Sequence, residues 1–196
     1  VATTTVRLQT TGEVDDAFLN SSSPDTNYGS TNYLSDIERF AIRFNLPAEV
    51  LNQKIVEARI TFYGWHITVP SPPHYLDLYP ITSDWAETGV TWNNASASAE
   101  WSTAGGDFSV PAIASIEVVY LDHAFFDPAD ITELVQHWAD TPSENHGLMV
   151  IKDPAATVGL KASEYSNDQR SYLEITYAPP IPGDIDDNGE VALADA

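Results

Sequence analysis

Apolar and polar residues alternate in short segments along the chain, and Pro, Gly, Asn, Asp and Ser separate these segments. Alternation of this kind predicts β-strands, because successive side chains of a strand point to opposite faces. The predicted strands are Thr3–Leu8, Arg39–Asn45, Ile55–Trp65, Tyr75–Tyr79, Ile116–Leu121, Leu148–Ile151, Gly159–Tyr165 and Tyr172–Tyr177. Many short strands with little helix predict an all-β fold, a jelly-roll β-sandwich.

One segment, "DPADITELVQHWADTP", has a helical period instead. Its apolar residues recur at i, i+3, i+4 and i+7, at Ile131, Leu134, Val135 and Trp138. Asp130 suits the N-cap, Glu133 follows as in a capping box, and Pro142 stops the helix. The pattern predicts a single helix of two to three turns packed on the sandwich. Trp138 is expected in the core rather than on a ligand platform.

The stretch "YAPPIPGD" marks the clearest boundary in the chain. Pro179, Pro180 and Pro182 block both helix and sheet, so residues 179–182 are expected to form a short stiff linker. The sequence therefore predicts a sandwich domain over residues 1–178 and the start of a second module over 183–196. Val1 suggests a mature or excised segment, so a missing signal peptide is uninformative.

The faces of the predicted strands differ in chemistry. In "RFAIRFN", Phe40, Ile42 and Phe44 point to the core. Arg39 and Arg43 point outward on either side of Ala41, ~13 Å apart along the strand. In "IVEARITFYGW" the alternation predicts a core set of Val56, Ala58, Ile60 and Phe62. The remaining outward candidates are Arg59, Tyr63, Trp65, Tyr75, Lys161 and Tyr165.

A sheet face rich in Tyr, Trp, Arg and Lys suits a saccharide. Sugar C–H faces pack on aromatic rings, and sugar hydroxyls bond to charged and amide groups. Two alternatives stay open. Tyr and Trp are also good strand formers. Loops could instead cover this face and turn the arginines into ion-pair partners of Asp and Glu.

Composition narrows the classes of function. The net charge of −21, from 29 acidic and 8 basic residues, argues against nucleic-acid or anionic-membrane binding. The chain has no Cys, which excludes disulfides and thiolate chemistry. No apolar run reaches the ~18 residues of a membrane span. Neither a G-x-S-x-G elbow nor a phosphate loop is present. We therefore expect that the protein is a monomer and is not an enzyme.

The tail "DIDDNGEVALAD" has the spacing of a calcium loop. Calcium prefers oxygen ligands, and the loop offers them at Asp184, Asp186, Asn188, Glu190 through its carbonyl, and Asp195. Gly189 permits the sharp turn within the loop. The sequence predicts calcium as the cofactor of this module.

Five stretches resemble, in order, the DNRLRE domains, also called disaggregatase-related domains, which overlap carbohydrate-binding module family 96. They are "SSSPDTNYGSTNYLSD" (21–36), "ERFAIRFNLP" (38–47), "SDWAETGVTWNN" (83–94), "DITELVQHWADTPSENHGLMV" (130–150) and "RSYLEITY" (170–177). His146 stands where the family's pattern has Tyr. The resemblance implies a jelly-roll, non-catalytic, extracellular domain attached to polysaccharide-active or surface proteins.

Ligands attributed to this family include acidic polysaccharides such as alginate. Given the net charge of −21, such a ligand requires calcium bridging or a basic patch. We expect that patch where Arg39, Arg43, Lys161 and Arg170 converge. The family's middle signature "DWAETGVTWNN" allows two interpretations. Its Trp and Asn residues either line a site or pin a loop to the core, and we favour the second.

The tail resembles the first calcium loop of a type I dockerin. An intact dockerin has two such loops and binds cohesin, so this resemblance implies secretion and assembly into a cellulosome-like complex. Fold analogy adds a possible sandwich calcium site near Asp15, Asp16, Asp25 and Asp36. A matrix-degrading enzyme of the disaggregatase type and a structural spacer or adhesion module remain the alternative functions.

Overall fold

A computed structural model describes residues 2–34, 38–68, 73–118 and 123–179. The strands are β1 (Thr4–Leu8), β2 (Val14–Leu19), β3 (Tyr33–Leu34), β4 (Arg39–Phe44), β5 (Lys54–Thr61), β6 (Tyr63–Thr68), β7 (Tyr75–Pro80), β8 (Asn94–Ser96), β9 (Ala99–Glu100), β10 (Ala114–Glu117), β11 (Ala124–Phe125), β12 (Ala129–Asp130), β13 (Leu148–Lys152), β14 (Thr157–Lys161) and β15 (Tyr172–Ala178). Helix α1 spans Thr132–Asp140, and a 3-10 turn follows at Pro142–Glu144.

The strands form a two-layer all-β sandwich. The front sheet has the order β10-β7-β13-β4-β2. The back sheets have the orders β1-β15-β5-β12 and β11-β6-β14-β3, and β6 follows β5 after Phe62 alone. Every pairing between named strands is antiparallel. Phe40 of the front sheet meets Phe62 edge-on at 5.5 Å, in the core between the layers.

Alternation predicted most of the longer strands but missed β2. Its sequence "VDDAFL" does not alternate, because it contains two consecutive aspartates. The residues from Asp16 to Leu19 are all buried, since both faces of β2 are covered. The predicted strand Gly159–Tyr165 is too long, since β14 ends at Lys161. The continuous strand predicted over Ile55–Trp65 is interrupted at Phe62 and runs on to Thr68.

Two β-bulges change which side chains face outward. In the pairing of β5 with β15, Glu57 lies opposite Thr176 and Ile55 lies opposite Tyr177, so Val56 is the extra residue. The prediction that Val56 belongs to the core is wrong, because this bulge leaves it 51% exposed. The inward positions predicted for Ala58, Ile60 and Phe62 are confirmed by their complete burial.

Helix α1 lies where the back sheet would otherwise have a free strand edge. The hydroxyl of Thr132 accepts a hydrogen bond from the Ala58 N–H at 2.9 Å. Gln136 Oε1 accepts one from the Ile55 N–H at 2.7 Å. The predicted helix and the burial of Trp138, 2% exposed, are confirmed. The predicted N-cap is wrong: Ile131 occupies that position, while the Asp130 carboxylate accepts the Thr132 N–H.

A long connection covers the outer face of the front sheet. Residues 81–108, the covering segment, contribute Ile81, Trp85, Val90, Ala95 and Trp101 to a second apolar cluster with Ala17, Leu19, Ala41 and Met149. Ala41 is fully buried as a result. The open floor expected between Arg39 and Arg43 is therefore absent, because the covering segment fills it.

Candidate functional site

Aromatic rings follow one another across the outer face of the back sheets. We call this set the aromatic strip; it consists of Tyr33, Tyr63, Trp65, Phe125, Tyr165 and Tyr172. The Tyr33 ring lies 4.6 Å from the Trp65 ring and 5.6 Å from the Tyr165 ring, centroid to centroid. Tyr33 is 36% exposed, so this half of the strip is open to solvent.

The other half of the strip is centred on Phe125, which is 40% exposed. Its ring lies 4.8 Å from the Tyr63 ring and 5.5 Å from the Tyr172 ring. Lys161 connects the two halves, since its Nζ lies 3.7 Å from the Tyr165 ring centre and 5.0 Å from that of Tyr63. Cation–π contacts of this kind favour the packing of both rings against the Lys161 ammonium group.

Strand geometry explains why these side chains meet. Lys161 alternates with buried Leu160 and Ala162, so it points away from the core. The second bulge places Gly159 opposite His66 and Leu160 opposite Gly64, which makes Trp65 the extra residue of β6. A Cβ added at Gly159 would lie 2.7 Å from Trp65 Nε1. The absence of a side chain there lets the indole approach β14.

Charged residues border the strip as ion pairs. Arg7 lies over the Tyr172 ring, 4.0 Å from its centre, and donates to Glu174 Oε2 at 2.8 Å. Arg59 lies opposite Glu174 in the next strand and donates to Glu57 Oε1 at 2.7 Å. Across β1, β15 and β5, positive and negative side chains therefore alternate in a row formed by Arg7, Glu174 and Arg59.

The nine predicted binding residues divide between the two outer faces of the sandwich. Tyr63, Trp65, Lys161 and Tyr165 belong to the strip or touch it, but Tyr63 and Lys161, predicted to face outward, are each buried at 3% exposure. Arg170 donates to the Tyr165 carbonyl, and Arg59 lies on the adjoining part of the same layer. The other three, Arg39, Arg43 and Tyr75, belong to strands of the front sheet.

The four cations expected to form one basic patch do not converge. Arg39 and Arg43 point out of the front sheet, whereas Lys161 points out of the back sheet on the other side of the core. Arg43 donates to Asp15 at 2.7 Å and to Asp84 at 3.0 Å. This matches the alternative in which loops turn the arginine into an ion-pair partner.

Arg39 is held by the covering segment. Its Nη1 donates to the Gly105 carbonyl at 2.9 Å, and its guanidinium lies 4.7 Å from the Trp92 ring centre. Burial lowers the pKa of Arg39. A groove of about 640 Å³ runs beside it, lined with hydroxyl groups of Thr82, Ser83, Ser102 and Thr103 and the carboxylate of Asp107. This groove is a second candidate surface for a polar ligand.

The signature "DWAETGVTWNN" pins the covering segment in place. Trp85 Nε1 donates to the His146 carbonyl at 2.8 Å, and the Trp85 side chain is buried. Asn27 Nδ2 donates to the carbonyls of Glu87 and Val90, both at 2.7 Å. Asn93 of the signature donates to Asp25 at 2.8 Å. These contacts support the structural interpretation of the signature.

Three carboxyl groups lie together where β2, the covering segment and the loop after β14 meet. Glu87 Oε1 accepts the Asp16 N–H at 2.7 Å, and Asp16 Oδ2 accepts the Ser163 N–H at 2.9 Å. Burial, reinforced by the Glu164 carboxylate, raises the pKa of Asp16 well above its ordinary value. Burial raises the pKa of Glu164 and raises that of Glu87 to about 7.

The sequence predicted a calcium site in the tail loop, and fold analogy suggested a second one in the sandwich. Among the described residues, no three His, Asp or Glu side chains are grouped so that they could hold a metal ion. Of the four aspartates suggested by fold analogy, Asp15 pairs with Arg43, Asp16 is buried, Asp25 bonds to Asn93, and Asp36 is outside the described residues. The tail loop, with Asp184, Asp186, Asn188, Glu190 and Asp195, also lies outside them.

Sequence reasoning overlooked several members of the site. Tyr172 was detectable, because it alternates with buried Leu173 and Ile175 in β15. Tyr33 precedes buried Leu34 in a strand of two residues, too short for a period to show. Phe125 likewise belongs to a strand of two residues.

The described part of the chain contains no helix long and apolar enough to cross a membrane.

Comparison with known proteins adds one finding. The sequence profile of a family described as Carbohydrate-binding module family 96 matches residues 7–177. This range includes every ring of the aromatic strip and both faces of the sandwich. No curated protein matches the chain.

Proposed function

The chain belongs to carbohydrate-binding module family 96, and from this premise we propose that it binds polysaccharide along the aromatic strip without catalysing its cleavage. The observation that carries the proposal is a pair of ring clusters on one outer face, exposed at Tyr33 and Phe125 and linked through Lys161. Sugar rings stack on aromatic faces through their C–H groups, and their hydroxyls bond to polar groups at the border. A rigid strip of rings suits an extended chain of sugars.

The strip is a better candidate than the front face. Arg39 and Arg43 are already bonded within the protein, and the covering segment occupies the surface between them. By contrast, Tyr33 and Phe125 expose 36% and 40% of their surface. Binding on preformed, exposed rings costs little conformational entropy, since these side chains are held by their neighbours.

The proposed setting is a larger extracellular protein that acts on polysaccharides or belongs to a cell surface. The jelly-roll connectivity, the monomeric state and an acidic ligand such as alginate remain predictions from the sequence. For the tail we propose a dockerin-like calcium loop at 183–196, whose intact module would bind cohesin. Isothermal titration with calcium before and after a double Asp184→Asn, Asp186→Asn substitution tests the loop, and an unchanged calcium titration would contradict it.

Affinity electrophoresis on gels containing soluble polysaccharides tests the proposed function. Tyr33→Ala and Trp65→Ala should each reduce retention about tenfold, because stacking and apolar burial on one ring contribute roughly 1–2 kcal/mol. Tyr75→Ala is the matched control, since Tyr75 is 40% exposed but lies in the front sheet. Unaltered circular dichroism shows that each variant folds.

Two results would overturn the proposal. One is full retention of both strip variants, and the other is loss of retention in Tyr75→Ala alone. New reducing ends released from a retained polysaccharide by the purified protein would instead support the matrix-degrading alternative. Failure to bind any polysaccharide would favour the spacer or adhesion function.

A further inference from the structure

We infer that the aromatic strip selects an uncharged polysaccharide over an acidic one; this inference rests on the proposed function. An acidic ligand would need accessible positive charges on this face. All eight basic residues lie among the described residues, so the partners of seven can be named from the structure and the remaining one, Lys54, is not free.

Lys161 is the cation at the centre of the strip, yet it is buried. It is 3% exposed, and its Nζ donates to Gln169 Oε1 at 2.9 Å while lying between two tyrosine rings. A ligand carboxylate could reach this ammonium group only if the Tyr165 ring moved. Lys161 therefore positions the rings rather than presenting charge to a ligand.

The cations at the border are bonded to groups of the protein, and the two exposed ones are paired with carboxylates. Arg7 and Arg59 remain 49% and 43% exposed at their side chains, but each donates to a glutamate within 2.8 Å. Arg170 is bonded to the Tyr165 carbonyl and interacts electrostatically with Glu13. Arg39 and Arg43 point out of the front sheet, on the opposite outer face. Lys152 ends β13 on its core-facing side and donates to the Ala156 carbonyl at 2.6 Å.

The same carboxylates favour a neutral sugar. Glu174 and Glu57 have exposed side chains, 43% and 49%, and each bonds its arginine through one oxygen. The second oxygen of each can accept a sugar hydroxyl, and such charge-assisted hydrogen bonds are stronger than neutral ones. A uronate would be repelled by these carboxylates and by the negative potential of a protein with net charge −21.

Polysaccharides that share a backbone but differ in charge provide the test. The full chain is run on affinity gels containing hydroxyethylcellulose or carboxymethylcellulose, methyl-esterified or de-esterified polygalacturonan, and mannan or alginate, at low and high NaCl. We expect at least about tenfold stronger retention by the neutral partner at low salt. Added NaCl should leave retention by the neutral polysaccharides unchanged, because salt screens exposed charges but does not weaken ring stacking.

A charge variant makes the test sharper. In the double variant Glu57→Gln, Glu174→Gln, both arginines lose their partners, so acidic polysaccharides should gain retention by about tenfold and neutral ones should lose some. The matched control is Glu117→Gln, Glu133→Gln, which removes two exposed carboxylates outside the strip. This control should change neither the retention by acidic polysaccharides nor the retention by neutral ones.

The outcomes separate the inference from the function on which it rests. Equal or stronger retention by the acidic partner at low salt would overturn the inference and leave polysaccharide binding intact. The inference would also be overturned if the charge variant were retained no more strongly by acidic polysaccharides than the original protein. Retention by none of these polysaccharides would overturn the proposed function itself.

Discussion

Glu87→Gln is expected to stabilise the protein at pH 8 and to leave its stability at pH 5 nearly unchanged. Glu87 Oε1 accepts the Asp16 N–H at 2.7 Å, and an amide oxygen can accept the same bond. The substitution therefore removes mainly the charge. That charge is unfavourable in the folded state because burial raises the pKa of Glu87 from 4.5 to about 7, with Glu164 and Asp15 adding repulsion.

The sign follows from proton counts. Between pH 4.5 and about 7, the folded protein keeps the Glu87 proton that the unfolded chain has released, so stability falls as pH rises through this window. At about 1.4 kcal/mol per pH unit, the full difference is about 3.5 kcal/mol. Glu87 is only half-buried, and solvent screening reduces this to about 1–2 kcal/mol. The raised pKa of Asp16 acts in the same direction.

Urea unfolding followed by tryptophan fluorescence at pH 5 and pH 8 measures the effect. The control is Glu117→Gln, an exposed strand residue, which should shift the free energy of unfolding by less than about 0.5 kcal/mol at both pH values. An equal shift for Glu87→Gln at the two pH values would refute the reasoning. A loss of stability at pH 8 would show that the charge, and not only the hydrogen bond, stabilises the fold.

Other contacts give further expectations. Gly159→Ala places a Cβ 2.7 Å from Trp65 Nε1, so it should displace the indole and weaken polysaccharide retention with little change in unfolding free energy; normal retention would contradict this. Trp85→Phe leaves the buried cluster without the bond to the His146 carbonyl and should cost about 2–3 kcal/mol in urea unfolding. Gln136→Ala removes the acceptor of the Ile55 N–H and should cost about 1–2 kcal/mol, whereas Glu133→Ala on the exposed helix face should cost less than about 0.5 kcal/mol.

Local periodicity was enough to predict the class of fold and several members of the candidate aromatic strip. The alternation in β4 and the helical stripe ending at Trp138 both predicted burial correctly, because a side chain's direction follows from its position in a regular element. The same rule predicted Trp65 on the outer face, where it is half-buried, but Tyr63 and Lys161, also predicted to face outward, are buried among neighbouring rings. The family resemblance then pointed to a carbohydrate-binding module.

Pairings between distant segments decided the rest. The bulge that exposes Val56 arises from its register against β15, more than a hundred residues away, and no local pattern shows it. The covering segment folds over Arg39 and Arg43 because its tryptophans bury apolar surface against the front sheet. Strand alternation says which way a side chain points. Only the tertiary structure determines whether water, another ring or a carboxylate meets it there.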